Sequence, residues 1–328
     1  TLGASNHGGV VVTVRSLEPS LALIAPNDST AGAASQQFTM PLSGISVSFV
    51  VQTLEGIEND TVQVEVSAPG FTPDTMPVRI WKPAFVILGL LANATTLTPD
   101  DPFSVSIGTP NSPTGTTMTN FDEVRAGVAA AVVHLISDST HIGTLVRTAG
   151  TADSVSVPIP ARATGSPGSV AAGGVAIRYL AQGVGRVRAH IAGFRALNFD
   201  RVDFNVTAPS ITMGSTITVG SGLQRAMSVS LSAPAPSGGT TIVIKPTEAG
   251  KLLLAPTETT LGADSVLVTF ASGTTNASFI VQALEGIVAD TVPVVATSPG
   301  FISDTGFVRI HQAVYEIQPW TGTATTLT

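Results

Sequence analysis

Phe49-Val50-Val51-Gln52-Thr53-Leu54-Glu55-Gly56-Ile57 returns 230 residues later as Phe279-Ile280-Val281-Gln282-Ala283-Leu284-Glu285-Gly286-Ile287. From 49 to 80 and from 279 to 310 the two copies align without a gap, and 19 of 32 positions are identical. Ala94-Thr95-Thr96-Leu97-Thr98 likewise returns as Ala324-Thr325-Thr326-Leu327-Thr328. A repeat of this length governs the reading of every element inside it, because each copy must bury the same core.

Apolar residues alternate throughout the repeat. Met227, Val229 and Leu231 lead to Ile242 and Ile244, then Val266, Val268 and Phe270, Phe279 and Val281, Val292 and Val294, Val308 and Ile310. Each run places its apolar set on one face of a strand, as in a half-buried antiparallel sheet. Turn signals separate the runs: Pro234 to Gly239, Gly262-Ala263-Asp264, Ser272-Gly273 and Pro299-Gly300. Seven or eight short strands over about 100 residues describe an immunoglobulin-like sandwich.

A weaker copy lies between the two strong ones. It has Phe103, Val105 and Ile107, then Val133 and Leu135, Val155, Val157 and Ile159, and Val175, Ile177 and Tyr179. Ala192-Gly193-Phe194 stands where the others have Pro69-Gly70-Phe71 and Pro299-Gly300-Phe301. The helix-like run from Phe121 to Ile136 aligns with Thr240 to Lys245 and is read as a loop entering a strand.

The expected architecture is all-β, a tandem of immunoglobulin-like β-sandwiches. Residues 1–92 form a sandwich lacking its first strands, 93–206 a divergent one, 207–316 a complete one, and 317–328 the start of a next repeat. Thr1 aligns with Leu231, inside an early strand. Order near Val10, Val12 and Val14 is therefore expected to need strands supplied by continuing chain or by a neighbouring molecule.

Composition narrows the function. Only 11% of residues are charged and 5% aromatic, there is no cysteine, and the net charge is −7. A disulfide framework and CxxC metal sites are excluded, and the acidic balance argues against nucleic acid as a partner. The longest apolar run, Ala84 to Ala92, is far short of the roughly 20 residues that span a bilayer. It reads as a buried strand or junction. No HExxH, GxSxG or Walker spacing occurs, and the five histidines are scattered. Gly183-Val184-Gly185 reads as a hairpin turn. The chain is read as no enzyme.

Gly222 to Ile310 resembles the bacterial Ig-like repeats of very long secreted and cell-surface proteins. The matching features are Ser230-Leu231-Ser232-Ala233-Pro234-Ala235-Pro236 with Gly238-Gly239, Lys251-Leu252-Leu253-Leu254, Ala277-Ser278-Phe279-Ile280-Val281-Gln282 and Ser298-Pro299-Gly300-Phe301. The resemblance covers most of the first and third sandwiches and implies stalks, adhesins or extracellular fibres. It carries no catalytic residues.

Three residue sets are candidates for interaction. Arg178, Arg186, Arg188, Arg195 and Arg201 cluster in the middle sandwich, with Arg186, Arg188 and His190 alternating along one strand face. Residues 1–92 have net charge −4, 93–206 zero and 207–328 −3. The arginines could pair with an acidic neighbour or an anionic glycan, or simply be a solvated face. Sequons at Asn27, Asn59, Asn93, Asn205 and Asn276 fall in or beside expected turns and junctions, where a glycan would fit. Glu55, Asp60, Glu285 and Asp290 recur at one turn, and Asp100-Asp101 marks a junction. Calcium is one reading of these acids, but it wants six or more oxygens. Orientation of the turn by bonds to backbone N–H groups is favoured instead, so no cofactor is expected. The expected function is structural: an extracellular or cell-surface fibre, filament, stalk or surface layer, with copies of itself or adjacent repeats as partners. The alternative is an adhesin that binds a carbohydrate or another partner, outside this window or on the arginine-rich face.

Overall fold

The computed structural model describes residues 1–4, 7–197 and 200–314. The expected repeat start at 317–328 lies outside the described residues. The first and second sandwiches fall in one compact unit and the third in another.

The third sandwich is built from β19 to β27, and earlier strands are numbered from the N-terminus. In the first sandwich β1 is Val10–Ser16, β2 Ala22–Ala25, β3 Ser35–Met40, β4 Val50–Thr53, β5 Asn59–Ser67 and β6 Asp74–Trp81. In the second, β7 is Ala84–Leu88, β8 Asn93–Thr95, β9 Asp101–Pro110, β10 Met118–Phe121, β11 Ala131–Ser137 and β12 Gly143–Arg147. It continues with β13 Gly150–Ala152, β14 Ser154–Ile159, β15 Val175–Tyr179, β16 Gly183–Ile191, β17 Arg195–Ala196 and β18 Arg201–Thr207. In the third, β19 is Ile211–Met213, β20 Ile217–Gly220, β21 Gln224–Leu231, β22 Thr240–Pro246, β23 Leu252–Ala255, β24 Val266–Phe270, β25 Asn276–Ala283, β26 Ala289–Thr297 and β27 Asp304–His311.

The third sandwich has a four-stranded sheet, β19-β21-β25-β23, against a five-stranded sheet, β20-β27-β26-β22-β24. Its opening segment changes sheets. β19 runs antiparallel to β21, and β20 then runs parallel to β27. The inward positions of both sheets, including Met227, Ile242, Phe270, Phe279, Val292 and Ile310, form one buried core. The second sandwich repeats this plan, with β14-β11-β16-β18-β8 opposite β13-β12-β15-β9-β7-β17 and β10 added beside β9. The alternation read from the sequence is thus the core pattern, and the protein is an all-β tandem of immunoglobulin-like sandwiches.

Two local expectations change. Ala84–Leu88 pairs with Asp101–Pro110, so these residues belong to the second sandwich's sheet and not with residues 1–83. The sequence hid this because the third sandwich's counterpart of β7's pairing, β19, is shorter and more polar. Gly183-Val184-Gly185 is not a turn but the start of β16, paired with β18. Glycine is needed there for room, since Gly185 sits directly opposite Phe204.

The first sandwich has, among the described residues, the counterparts of β22 to β27 and none of β19 to β21. β3-β1-β5-β6 form one sheet and β2-β4 the other. Val10, Val12 and Val14 all pair with β3, and Val14 pairs with β5 as well. β4 has four residues where its counterpart β25 has eight. In β25, residues Asn276 to Phe279 are held by the ladder to β21. Phe49 and Val51 are only half-buried, against the expectation that they would be as buried as Phe279 and Val281. The register is the same, but the neighbour that closes the core in the third sandwich is a strand that β4 lacks here.

Candidate functional site

The repeated Leu-Glu-Gly-Ile turn and the repeated glutamine meet at one end of each strong copy. Gln52 is buried on β4. Its Oε1 accepts from Gly32 N–H at 2.8 Å and its Nε2 donates to Thr30 C=O at 2.8 Å. In the third sandwich Gln282 does the same with Gly262 (2.9 Å) and Thr260 (3.0 Å). Loop 27–33 is thus pinned to its strand by Gln52, and loop 257–263 by Gln282 together with Gln224, which donates to Glu258 C=O at 3.0 Å. Asn27 Oδ1 further orders the first loop, accepting from Ser29 N–H at 3.1 Å. Removing the amide strands a part-buried backbone N–H and C=O. Gln52→Ala should cost about 1–3 kcal/mol, read as a fall in urea midpoint together with faster hydrogen exchange confined to residues 27–33. Exchange there that stays as slow as before would show that the staple is idle.

That pinned end is where the second sandwich rests on the first. Two of its loops, 122–127 and 160–163, are joined by Arg162 N–H to Val124 C=O (2.7 Å) and Val124 N–H to Ala163 C=O (3.1 Å). Arg162 is the non-glycine residue with positive φ, 68°, among the described residues. Arg125 donates from Nη2 to both carboxylate oxygens of Glu55, at 3.0 and 2.9 Å. Arg162 Nη2 reaches Asp28 Oδ2 at 3.5 Å. Between the two ion pairs, Gly127 packs so closely on Ala31 that a Cβ added to it would lie 2.7 Å from the Ala31 Cβ. The Arg125 hydrogen bond holds the Glu55 carboxyl below the usual carboxylate range. Ion pairs this exposed contribute at most about 1 kcal/mol each, so the clasp sets orientation more than stability. Sequence reading placed Glu55 at a turn but missed Arg125, Arg162 and Asp28, whose partners are 70 and 134 residues away.

The five predicted arginines do not form one face. Arg186 and Arg188 share the outer face of β16, paired with Asp203 (2.5 Å) and Asp138 (2.7 Å) of the same sandwich. Arg201 stands beside Arg188 on β18. Arg178 is on the other sheet, bound through two nitrogens to Asp100 at 2.7 Å each. Arg195 donates to the backbone carbonyls of Ser112 (3.2 Å) and Gly115 (2.5 Å). Alternation alone could show which arginines share a strand face, but not that aspartates of neighbouring strands neutralise them.

Of the recurring acids, Asp60 and Asp290 bond the backbone beside them at the starts of β5 and β26. Asp60 and Asp290 accept from Thr61 and Thr291 N–H at 2.7 Å each, and Asp290 also meets Lys251. No group of three or more His, Asp or Glu that could hold a metal occurs among the described residues. Asn27, Asn59, Asn93 and Asn276 are exposed at loops or strand starts, whereas Asn205 lies half-buried inside β18, opposite Val184.

Asp101 has a different task. It accepts from the Tyr179 hydroxyl at 2.8 Å and from Leu91 N–H at 2.9 Å. Tyr179 is buried edge-on to Phe204. Burial first, then the Asp101 hydrogen bond and charge, push the phenol well above its ordinary range. A folded pKa raised above the unfolded value of about 10 gives stability that is whole below that pH and declines as pH rises above it. The urea midpoint should therefore fall more steeply above about pH 10 in the parent than in Tyr179→Phe. Parallel curves for the two proteins would contradict this.

No protein-family model matches the chain, and no curated protein sequence matches it. Among solved structures it is similar to Escherichia coli alpha-2-macroglobulin activated by porcine elastase, with a TM-score of 0.22 and 13% identity over 94% of this chain. The chain spans 30% of that protein's length.

Proposed function

We propose that the chain is a structural repeat protein of the cell exterior, in which successive sandwiches clasp end to end to build a stalk or filament. Its partners are adjacent repeats or further copies. The observation that carries this reading is the clasp of Arg125 on Glu55 and Arg162 on Asp28, with Gly127 seated on Ala31. A contact of this kind limits hinging between consecutive domains, which are otherwise expected to move freely. The corresponding end of the third sandwich presents Glu285, Glu258 and Leu261, all exposed, Leu261 at 87%. That combination offers the same acidic chemistry to another arginine-bearing sandwich.

The adhesin alternative puts its ligand site outside this window or on the arginine-rich face. Arg186 and Arg188 spend their charge on Asp203 and Asp138, which leaves less for an anionic ligand. Immunogold labelling of source cells, with antibodies raised against this chain, should decorate surface stalks or filaments. Label restricted to the cell interior would sink the proposal.

A further inference from the structure

His134 and His190 are 56 positions apart in the chain, yet they are direct neighbours on the sheet. The antiparallel register of β11 and β16 sets one opposite the other. Both are exposed on the outer face, because Val133, Leu135, Ala189 and Ile191, the alternate residues, point into the core. Their rings are 27° from parallel, with centroids 6.5 Å apart. Opposed residues of an antiparallel pair hold their Cβ atoms about 4.5–5.5 Å apart. From neighbouring positions on one exposed face, two imidazoles can each rotate to turn one nitrogen toward a shared ion, which a zinc-like metal binds at roughly 2.0–2.1 Å.

The surroundings favour that use. Ser156 flanks His134 on its other side, on β14, with its Oγ 2.9 Å from Nδ1. With Nδ1–H donating to this oxygen, Nε2 keeps an outward lone pair, the arrangement by which outer partners orient a ligating imidazole. The nearby cations on the same face are largely neutralised. Arg188, two residues from His190, is bound to Asp138, and Arg186 to Asp203, while Arg201 lies across from Arg188. Oxygen-seeking ions such as Mg²⁺ and Ca²⁺ have no reason to choose two imidazoles, whereas nickel, copper and zinc do.

We propose that His134 and His190 form a cross-strand clamp for a divalent transition-metal ion of the nickel–copper–zinc class. Water fills its remaining positions. The site is independent of the stalk reading. With two protein ligands it is an exchangeable surface site, not a structural one of four.

The test is a titration of the 328-residue chain with NiCl₂ followed by ¹H–¹⁵N spectra. Paramagnetic broadening should centre on β11 and β16 and saturate at one ion per chain. His134→Ala and His190→Ala should each abolish it, and Ser156→Ala should weaken binding about tenfold. His141→Ala, on a loop of the same sandwich, should leave it unchanged, and MgCl₂ should have no effect. All these side chains are exposed, so unperturbed spectra away from the two strands verify the fold. Broadening of β11 and β16 that survives either histidine substitution, or saturation at one ion per two chains, overturns the proposal.

Discussion

Truncating Phe279 to alanine should destabilise the third sandwich by about 3–5 kcal/mol, while the same change at Phe49 should cost about half that or less. The two residues hold the same place in the repeat, but Phe279 lies inside β25 while Phe49 immediately precedes β4. Phe279 has no exposed surface and sits opposite Met227 in the β21–β25 ladder. Its removal leaves a cavity closed on every side, which the surrounding residues can collapse into only in part. Phe49 is half-buried, because β4 has no strand where β25 has β21. Water already reaches part of its ring, so less apolar surface changes environment. Calorimetry should show the transition of the third sandwich shifting for Phe279→Ala, and hydrogen exchange should assign it to β19 to β27. Equal costs at both positions would mean that Phe49 is as enclosed as Phe279.

Gly185→Ala should destabilise the second sandwich by about 1–3 kcal/mol or more. The added Cβ would lie 2.1 Å from Phe204 Cζ and 2.4 Å from Cε2. The ring cannot retreat. Gly143 presses on it from another strand, where a Cβ would also fall 2.9 Å from Cζ, and Tyr179 meets it edge-on at 5.5 Å between centroids. The cause is overpacking, so it predicts a rescue. Adding Phe204→Leu to Gly185→Ala should recover part of the loss, with a coupling of about 0.5–3 kcal/mol from a double-mutant cycle. Strictly additive costs would show that the glycine serves the backbone and not the ring.

The clasp between the first two sandwiches has a smaller energetic weight, yet it bears on how the repeat is used. Glu55 recurs as Glu285, but only Glu55 has an arginine partner among the described residues. Repetition in the chain therefore marks a surface that can be used more than once, and the neighbour decides whether it is used.

The fold was legible in the residues because strand alternation and the 230-residue repeat are local, additive signals. Met227, Ile242, Phe270, Phe279 and Val292 had to face one core whatever their partners were, since side chains of a strand alternate between two faces. Strand β11, disguised as a helix by the alanines before and at its start, followed from alignment alone. What depended on partners far along the chain stayed hidden. Phe49 and Phe279 read identically and differ in burial because burial belongs to the pair of strands, not to the residue. Gly185 looked like a turn because nothing nearby announces Phe204 on the facing strand. Arg186 and Arg188 looked free until β18 and the loop after β11 brought Asp203 and Asp138 beside them. His134 and His190 looked scattered, and only the register of β11 on β16, set by which faces the core could accept, made them neighbours.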